Sequence, residues 1–140
     1  FPKAHIEGAQ YDFSFSGLKS AVLNYINGCK MKGESFDPAD IAASFQKAVV
    51  EVLVENSMRA AEDYGVYKFA IAGGVASNTA LREAMEQACK EREIRFYRPS
   101  PIYCTDNAAM IGAAAYYEYL AGTRHGWDLN AVPNLKLGER

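Results

Sequence analysis

Three short segments of this chain carry residue types that can do chemistry. In Ala72-Gly73-Gly74-Val75-Ala76-Ser77-Asn78-Thr79, two glycines and an asparagine follow a short apolar run. Glycines let a backbone approach phosphate oxygens, and a helix starting just afterwards offers unpaired N–H groups to an anion. The Asn78 amide suits either a helix cap or a hydrogen bond to a nucleotide, and a plain strand-to-helix turn is the non-functional alternative. No Gly-Lys-Ser/Thr follows, so this is not a Walker A loop. In Pro99–Asn107, the residues Thr105, Asp106 and Asn107 stand at an expected helix start. A carboxylate there either caps the helix or lies at the mouth of a nucleotide cleft, where it can bind a metal that neutralises phosphate charge. In Asp12-Phe13-Ser14-Phe15-Ser16-Gly17-Leu18-Lys19, no His or acid at a recognisable spacing activates either serine. Exposed serines on a strand, followed by a surface lysine, are the expected reading.

The other reactive side chains suggest no site of their own. Cys29, Cys89 and Cys104 are odd in number and widely spaced, which fits neither a disulfide framework nor a zinc pattern. Packed thiols in a reducing cytoplasm are expected. His5 and His125 stand at opposite ends, a poor start for a metal site. Lys90, Arg92, Arg95 and Arg98, interleaved with Tyr97 and Tyr103, form either an RNA-phosphate strip or the solvated side of a helix and strand.

These residues sit in 140 positions of ordinary globular composition, 49 % apolar and 23 % charged, with 15 Lys+Arg against 17 Asp+Glu. That balance excludes a disordered acidic tail, a collagen-like repeat and a strongly basic nucleic-acid clamp. No run approaches the roughly 20 apolar residues that span a bilayer, so no membrane association is expected. The start, Phe1 to His5, lacks an apolar signal core, and a cytoplasmic protein is expected. It also lacks an initiator Met, which fits a processed chain or a piece of a longer one.

The elements that must position these residues follow from periodicity. Tyr11–Ser16 alternates like a strand, Gly17 breaks it, and Leu18–Ile26 reads as a short helix with a loop from Asn27-Gly28 to about Phe36. Asp37 as N-cap and Pro38 at the first position open a long helix to about Tyr64, stopped by Gly65. Its apolar face is Ile41, Phe45, Ala48, Val49, Val52 and Leu53. A buried strand is expected at Lys68–Ala72, a helix at Thr79–Arg92 with Leu81, Ala84, Met85 and Ala88 inward, and a strand at Ile94–Tyr97. A small-residue helix then spans Asp106–Leu120. The order is α/β, with parallel pairing and a right-handed crossover. The expected organisation is a strand-helix-loop lead-in over 1–36, an α/β half-domain over 37–120 and an irregular tail over 121–140. So few strands leave sheet edges unpaired, as in the later half of a larger domain.

Four stretches in register resemble the TsaD family (older name Gcp), the tRNA N6-adenosine threonylcarbamoyltransferases. They are Asp12–Lys19, Ile41-Ala-Ala-Ser-Phe-Gln46, Ile71–Asn78 with Leu81-Arg82, and Cys104–Gly112. The resemblance covers essentially the whole chain and corresponds to the carboxyl-terminal part of longer family members. It implies an actin-like ATPase fold, two ribonuclease-H-like domains around a nucleotide cleft, of which this chain holds a helix-rich α/β part with a small, incomplete parallel sheet, with residues 37–120 as the carboxyl-terminal half of a ribonuclease-H-like nucleotide-binding domain. It implies transfer of threonylcarbamoyl from threonylcarbamoyl-AMP to N6 of the adenosine 3′ of the tRNA anticodon, supported by TsaB-, TsaE- and TsaC-type partners. By matching position, Asn78 corresponds to the asparagine that contacts an ATP/AMP-type nucleotide, and Gly73 and Gly74 to glycines of the same loop. Asp106 corresponds to the aspartate that binds one divalent metal, iron or zinc. The two other ligands, in a His-x-x-x-His motif, and the first glycine-rich loop belong to the amino-terminal half and are absent from this sequence. Weak metal binding at best, and no transferase activity from residues 1–140 alone, are therefore expected.

Three other readings compete. The older family label is a metal-dependent O-sialoglycoprotein endopeptidase, but no His-Glu-x-x-His occurs here. A sugar or acetate kinase of the same superfamily would bind a sugar or acid in the cleft. A non-catalytic nucleotide-binding or assembly module would use its uncovered apolar surface to self-associate.

Overall fold

A computed structural model of the chain describes residues 1, 2, 6, 8 and 10–136. His5 and the tail end, 137–140, lie outside the described residues. Among those described, the order is α1 (Ser16–Lys32), α2 (Pro38–Asp63), β1 (Lys68–Ala70), α3 (Thr79–Glu91), β2 (Arg95–Tyr97) and α4 (Ala108–Leu120). Short 3-10 turns occupy Gly74–Ser77 and Pro101–Tyr103. The class is α/β, helix-rich, with β1 and β2 paired in parallel: Lys68 opposite Arg95, Phe69 opposite Phe96, Ala70 opposite Tyr97. No helix among the described residues is long and apolar enough to cross a membrane. The chain divides into two compact units, Phe1–Thr105 and Asp106–Arg140.

In the first unit α2 and α3 pack on each other and on the strand pair. The core joins Met58 and Ala61 of α2 to Leu81, Met85, Ala88 and Cys89 of α3, with Ile94 beside them. Phe69 and Phe96, the central residues of the two strands, pack against this cluster. Burying a side chain such as Leu81 or Met85 contributes about 1.5–3 kcal/mol relative to leaving it exposed. Three of the four inward residues expected of α3 are buried, and Ala84 is half-buried. On α2, Ala48 and Val52 are buried as expected, but Phe45 keeps 38 % of its surface exposed.

The helix ends follow local chemistry. Asp37 caps α2 by accepting from the Ala39 N–H at 2.8 Å, with Pro38 first in the helix, as read from sequence. All four helices close in one way. Just past each helix one N–H bonds a carbonyl five residues back, and the residue before it takes a left-handed backbone. Glycine fills that position after α1 (Gly33, φ 70°), α2 (Gly65, φ 60°) and α4 (Gly122, φ 87°). After α3 it is Glu93, φ 57°, with Ile94 N–H on the Cys89 carbonyl at 2.9 Å.

Two expectations are corrected. Helix α1 does not stop at Ile26 but continues through Asn27 and Gly28 to Lys32. One glycine weakens a helix by about 1 kcal/mol without breaking it, and buried Cys29 anchors the extra turn. Tyr11–Ser16 is no strand: Phe13 makes an isolated bridge and Ser16 already begins α1. Side chains of α2 replace the missing ladder. Asn56 donates to the Tyr11 and Asp12 carbonyls at 3.0 and 3.3 Å, and Arg59 donates to that of Gln10 at 3.2 Å. Asp63 accepts from Gln10 and from the Tyr11 hydroxyl at 2.7 and 2.8 Å. The same carboxylate raises the Tyr11 pKa above the ordinary tyrosine value.

In the second unit α4 begins two residues later than expected, because Asn107 rather than Asp106 is its cap, accepting from the Met110 N–H at 3.1 Å. Beyond its end, Arg124 stacks 3.9 Å from the Tyr119 ring centre and donates to the Tyr119 carbonyl.

Candidate functional site

The glycine-rich segment forms the turn that joins β1 to α3. Gly73 takes φ 84°, ψ 172°, a backbone shape open essentially to glycine alone. Its carbonyl accepts from Ala76 at 3.0 Å, and the Ser77 hydroxyl donates to the Gly74 carbonyl at 2.6 Å. Asn78 then caps α3, its side-chain oxygen accepting from the Leu81 N–H at 2.9 Å. Its amide nitrogen donates to Gln46 of α2 at 3.0 Å. Among the described residues two of the four hydrogen-bonding capacities of that amide have no partner, one N–H and one lone pair.

Both sequence readings of Asn78 thus meet in one residue, since it is a cap with polar capacity to spare. The Gln46–Asn78 bond also joins two of the segments that carry the family resemblance. A third reaches the same place. Phe13 and Phe15, Phe45 and Val49 of α2, Val75 and Leu81 line a pocket of about 660 Å³, with Gln46 and Asn78 on its wall. An apolar pocket with two amides fits the flat face and polar edge of a nucleobase.

The loop after β2 lies beside this turn. A β carbon on Gly74 would stand 3.8 Å from the Thr105 methyl, an ordinary contact. Arg82, on the first turn of α3, bonds both loops: it donates to the Ala76 carbonyl at 2.9 Å and to that of Pro99 at 2.7 Å. Sequence reading placed Arg82 in a motif without giving it a role, and it left Asn56 out altogether. Asn56 is buried at 3 % exposure and shows in sequence only as a polar residue on an apolar stripe.

Asp106 opens the second unit and is exposed. Among the described residues no group of three or more His, Cys, Asp or Glu side chains stands close enough to hold a metal ion. The described residues do not by themselves bring together a complete donor set for iron or zinc.

The basic strip is partly neutralised. Arg92 pairs with Glu62 of α2 and Arg98 with Glu86 at 3.1 Å, while Arg95 lies over the Tyr97 ring. Ser14 accepts from the Ser16 N–H at 3.4 Å, and Lys19 is exposed. The three cysteines are free thiols and buried, as expected of packing residues. Burial pushes the Cys89 thiol pKa up, away from a reactive thiolate.

A comparison with known families matches residues 1–113 to TsaD, described as tRNA N6-adenosine threonylcarbamoyltransferase. The chain belongs to the TsaD family. Its relatives in that family include the tRNA N6-adenosine threonylcarbamoyltransferase of Clostridium botulinum strain Hall, 59 % identical over 140 residues. The enzyme of the same name from Clostridium novyi strain NT is 62 % identical over 141 residues, and that from Clostridium kluyveri strain ATCC 8527 is 57 % identical over 141. Each match covers 100 % of this chain but 41 % of the relative. The chain therefore spans about two fifths of the length of these TsaD relatives.

Proposed function

We propose that the protein to which this chain belongs carries out threonylcarbamoyl transfer to tRNA, with this portion holding the nucleotide of the acyl donor. The single observation that carries this reading is the Gly73–Asn78 turn. Its capping residue Asn78 and its Val75 line a pocket to which three of the resemblance segments contribute, and Gly73 gives the turn a backbone shape that a side chain disfavours. In the proposed reaction the N6 amine of the target adenosine attacks the carbamoyl carbon of threonylcarbamoyl-AMP. The new N–C bond forms, the C–O bond to phosphate breaks, AMP leaves and the amine loses a proton. The role proposed for Gly73 and Gly74 is close backbone approach to the nucleotide, and for Asn78 a hydrogen bond to it.

An actin-like fold completed by the rest of the protein belongs to the same proposal. So does a metal to which Asp106 contributes one ligand and TsaB- and TsaE-type helpers support. Residues 1–140 alone are proposed to be inactive, because one carboxylate does not make a metal site. The test is t6A formation on unmodified tRNA by the full-length protein supplied with threonylcarbamoyl-AMP, comparing wild type with N78S. Serine keeps the cap within a few tenths of a kcal/mol but loses the amide. The expected result is t6A product from wild type, and from N78S weaker nucleotide binding at nearly unchanged melting temperature. No product from wild type, or N78S binding nucleotide as well as wild type, would sink the reading.

A further inference from the structure

Arg82 is left unexplained by a nucleotide turn alone. An arginine at this place on a helix would ordinarily pair with the acid one turn on. That acid, Glu86, instead pairs with Arg98 at 3.1 Å. The Arg82 guanidinium turns beneath the loops. One terminal nitrogen donates to the Ala76 carbonyl at 2.9 Å and approaches the Cys104 sulfur at 3.6 Å, and the other donates to the Pro99 carbonyl at 2.7 Å. Ala76 and Cys104 are both buried. Among the described residues no carboxylate pairs with Arg82.

We infer that Arg82 is a positioning residue for the nucleotide. Its fork ties the Gly73–Asn78 turn to the Pro99–Cys104 segment, so that the two loops beyond the strand ends keep one spacing and act as one rim. This rests on the nucleotide-binding reading above. A planar guanidinium presents donors in fixed directions to acceptors on two chains, which the single ammonium of lysine does not match. No carboxylate among the described residues pairs with the guanidinium, so its positive charge beside the turn favours a phosphate-bearing ligand.

The test compares R82K and R82A with wild type in the full-length protein. Hydrogen exchange is followed at the amides of Ala76, Asn78, Tyr103 and Cys104, whose bonds close the two loops. Kinetics are measured with threonylcarbamoyl-AMP as the varied substrate. R82K is expected to speed exchange in both loops together. It is also expected to raise KM roughly tenfold with kcat little changed, because the rim grips the nucleotide alike in ground and transition states. Free guanidinium ion is expected to return R82A toward the wild-type KM. Wild-type exchange and KM in R82K overturn the inference, and so does faster exchange in one loop only. A fall in kcat that merely tracks the folded fraction, at unchanged KM, overturns it too. If wild type neither binds adenine nucleotide nor transfers the group, the functional reading fails, while the exchange data still decide whether Arg82 couples the loops.

Discussion

Gly73 and Gly74 are neighbours with different reasons to be glycine. Gly73 has a backbone that a side chain disfavours, so G73A is expected to destabilise the fold by about 1–3 kcal/mol. Gly74 lacks that constraint, and its added methyl meets the Thr105 side chain at an ordinary 3.8 Å. G74A is therefore expected to stay within about 0.5 kcal/mol of wild type. Urea unfolding of the two variants checks the contrast, and equal losses would contradict it. If G74A folds normally but binds nucleotide weakly, its bare backbone is there for the ligand. The capping role of Asn78 was legible in sequence, because a cap needs only a residue type at a boundary. Its bond to Gln46 was not, since that depends on how α2 lies beside α3. Arg82 was hidden for the same reason: a local rule pairs it with Glu86, and tertiary packing hands Glu86 to Arg98.

At the level of elements, legibility tracked how far each signal was local. Helix α2 shows in sequence from its Asp-Pro start to its Gly65 stop, and α3 to within a residue of its end. The lead-in misled because alternation of aromatic and polar residues marks an exposed and a covered side, not the partner that covers it. Among the described residues the partner is a helix side bearing Asn56, Arg59 and Asp63. The shared helix closure yields a prediction of its own. Glu93 holds the left-handed position that glycine holds after the other three helices. An L-residue there carries roughly 1 kcal/mol of strain. Glycine relieves it but gains freedom in the unfolded chain. E93G is expected to stabilise by up to about 0.5–1 kcal/mol, read as a higher urea midpoint at unchanged slope; a lower midpoint would refute it.

For the whole molecule, what stands out is apolar surface with nothing over it. Within its own unit α4 buries none of its residues, and Met110, Ile111, Tyr116, Tyr117 and Leu120 are exposed. On the first unit Phe45 and Val75 are exposed beside the pocket. The relatives are more than twice as long as this chain and so have further chain to cover such faces, since the match fills 41 % of each. The 140-residue chain by itself is expected to self-associate at micromolar concentration. Sedimentation velocity decides this, and one monomer boundary across a concentration series would count against it. The parallel pairing of β1 and β2 also matters before the protein is finished. Lys68 meets Arg95 only after the whole of α3 has been made and has folded back. On a ribosome adding about 5–20 residues each second, β1 therefore waits for its partner β2 for on the order of seconds after it emerges. For that interval the side of Lys68–Ala70 that β2 will cover stays open, the kind of strand edge that chaperones exist to shield.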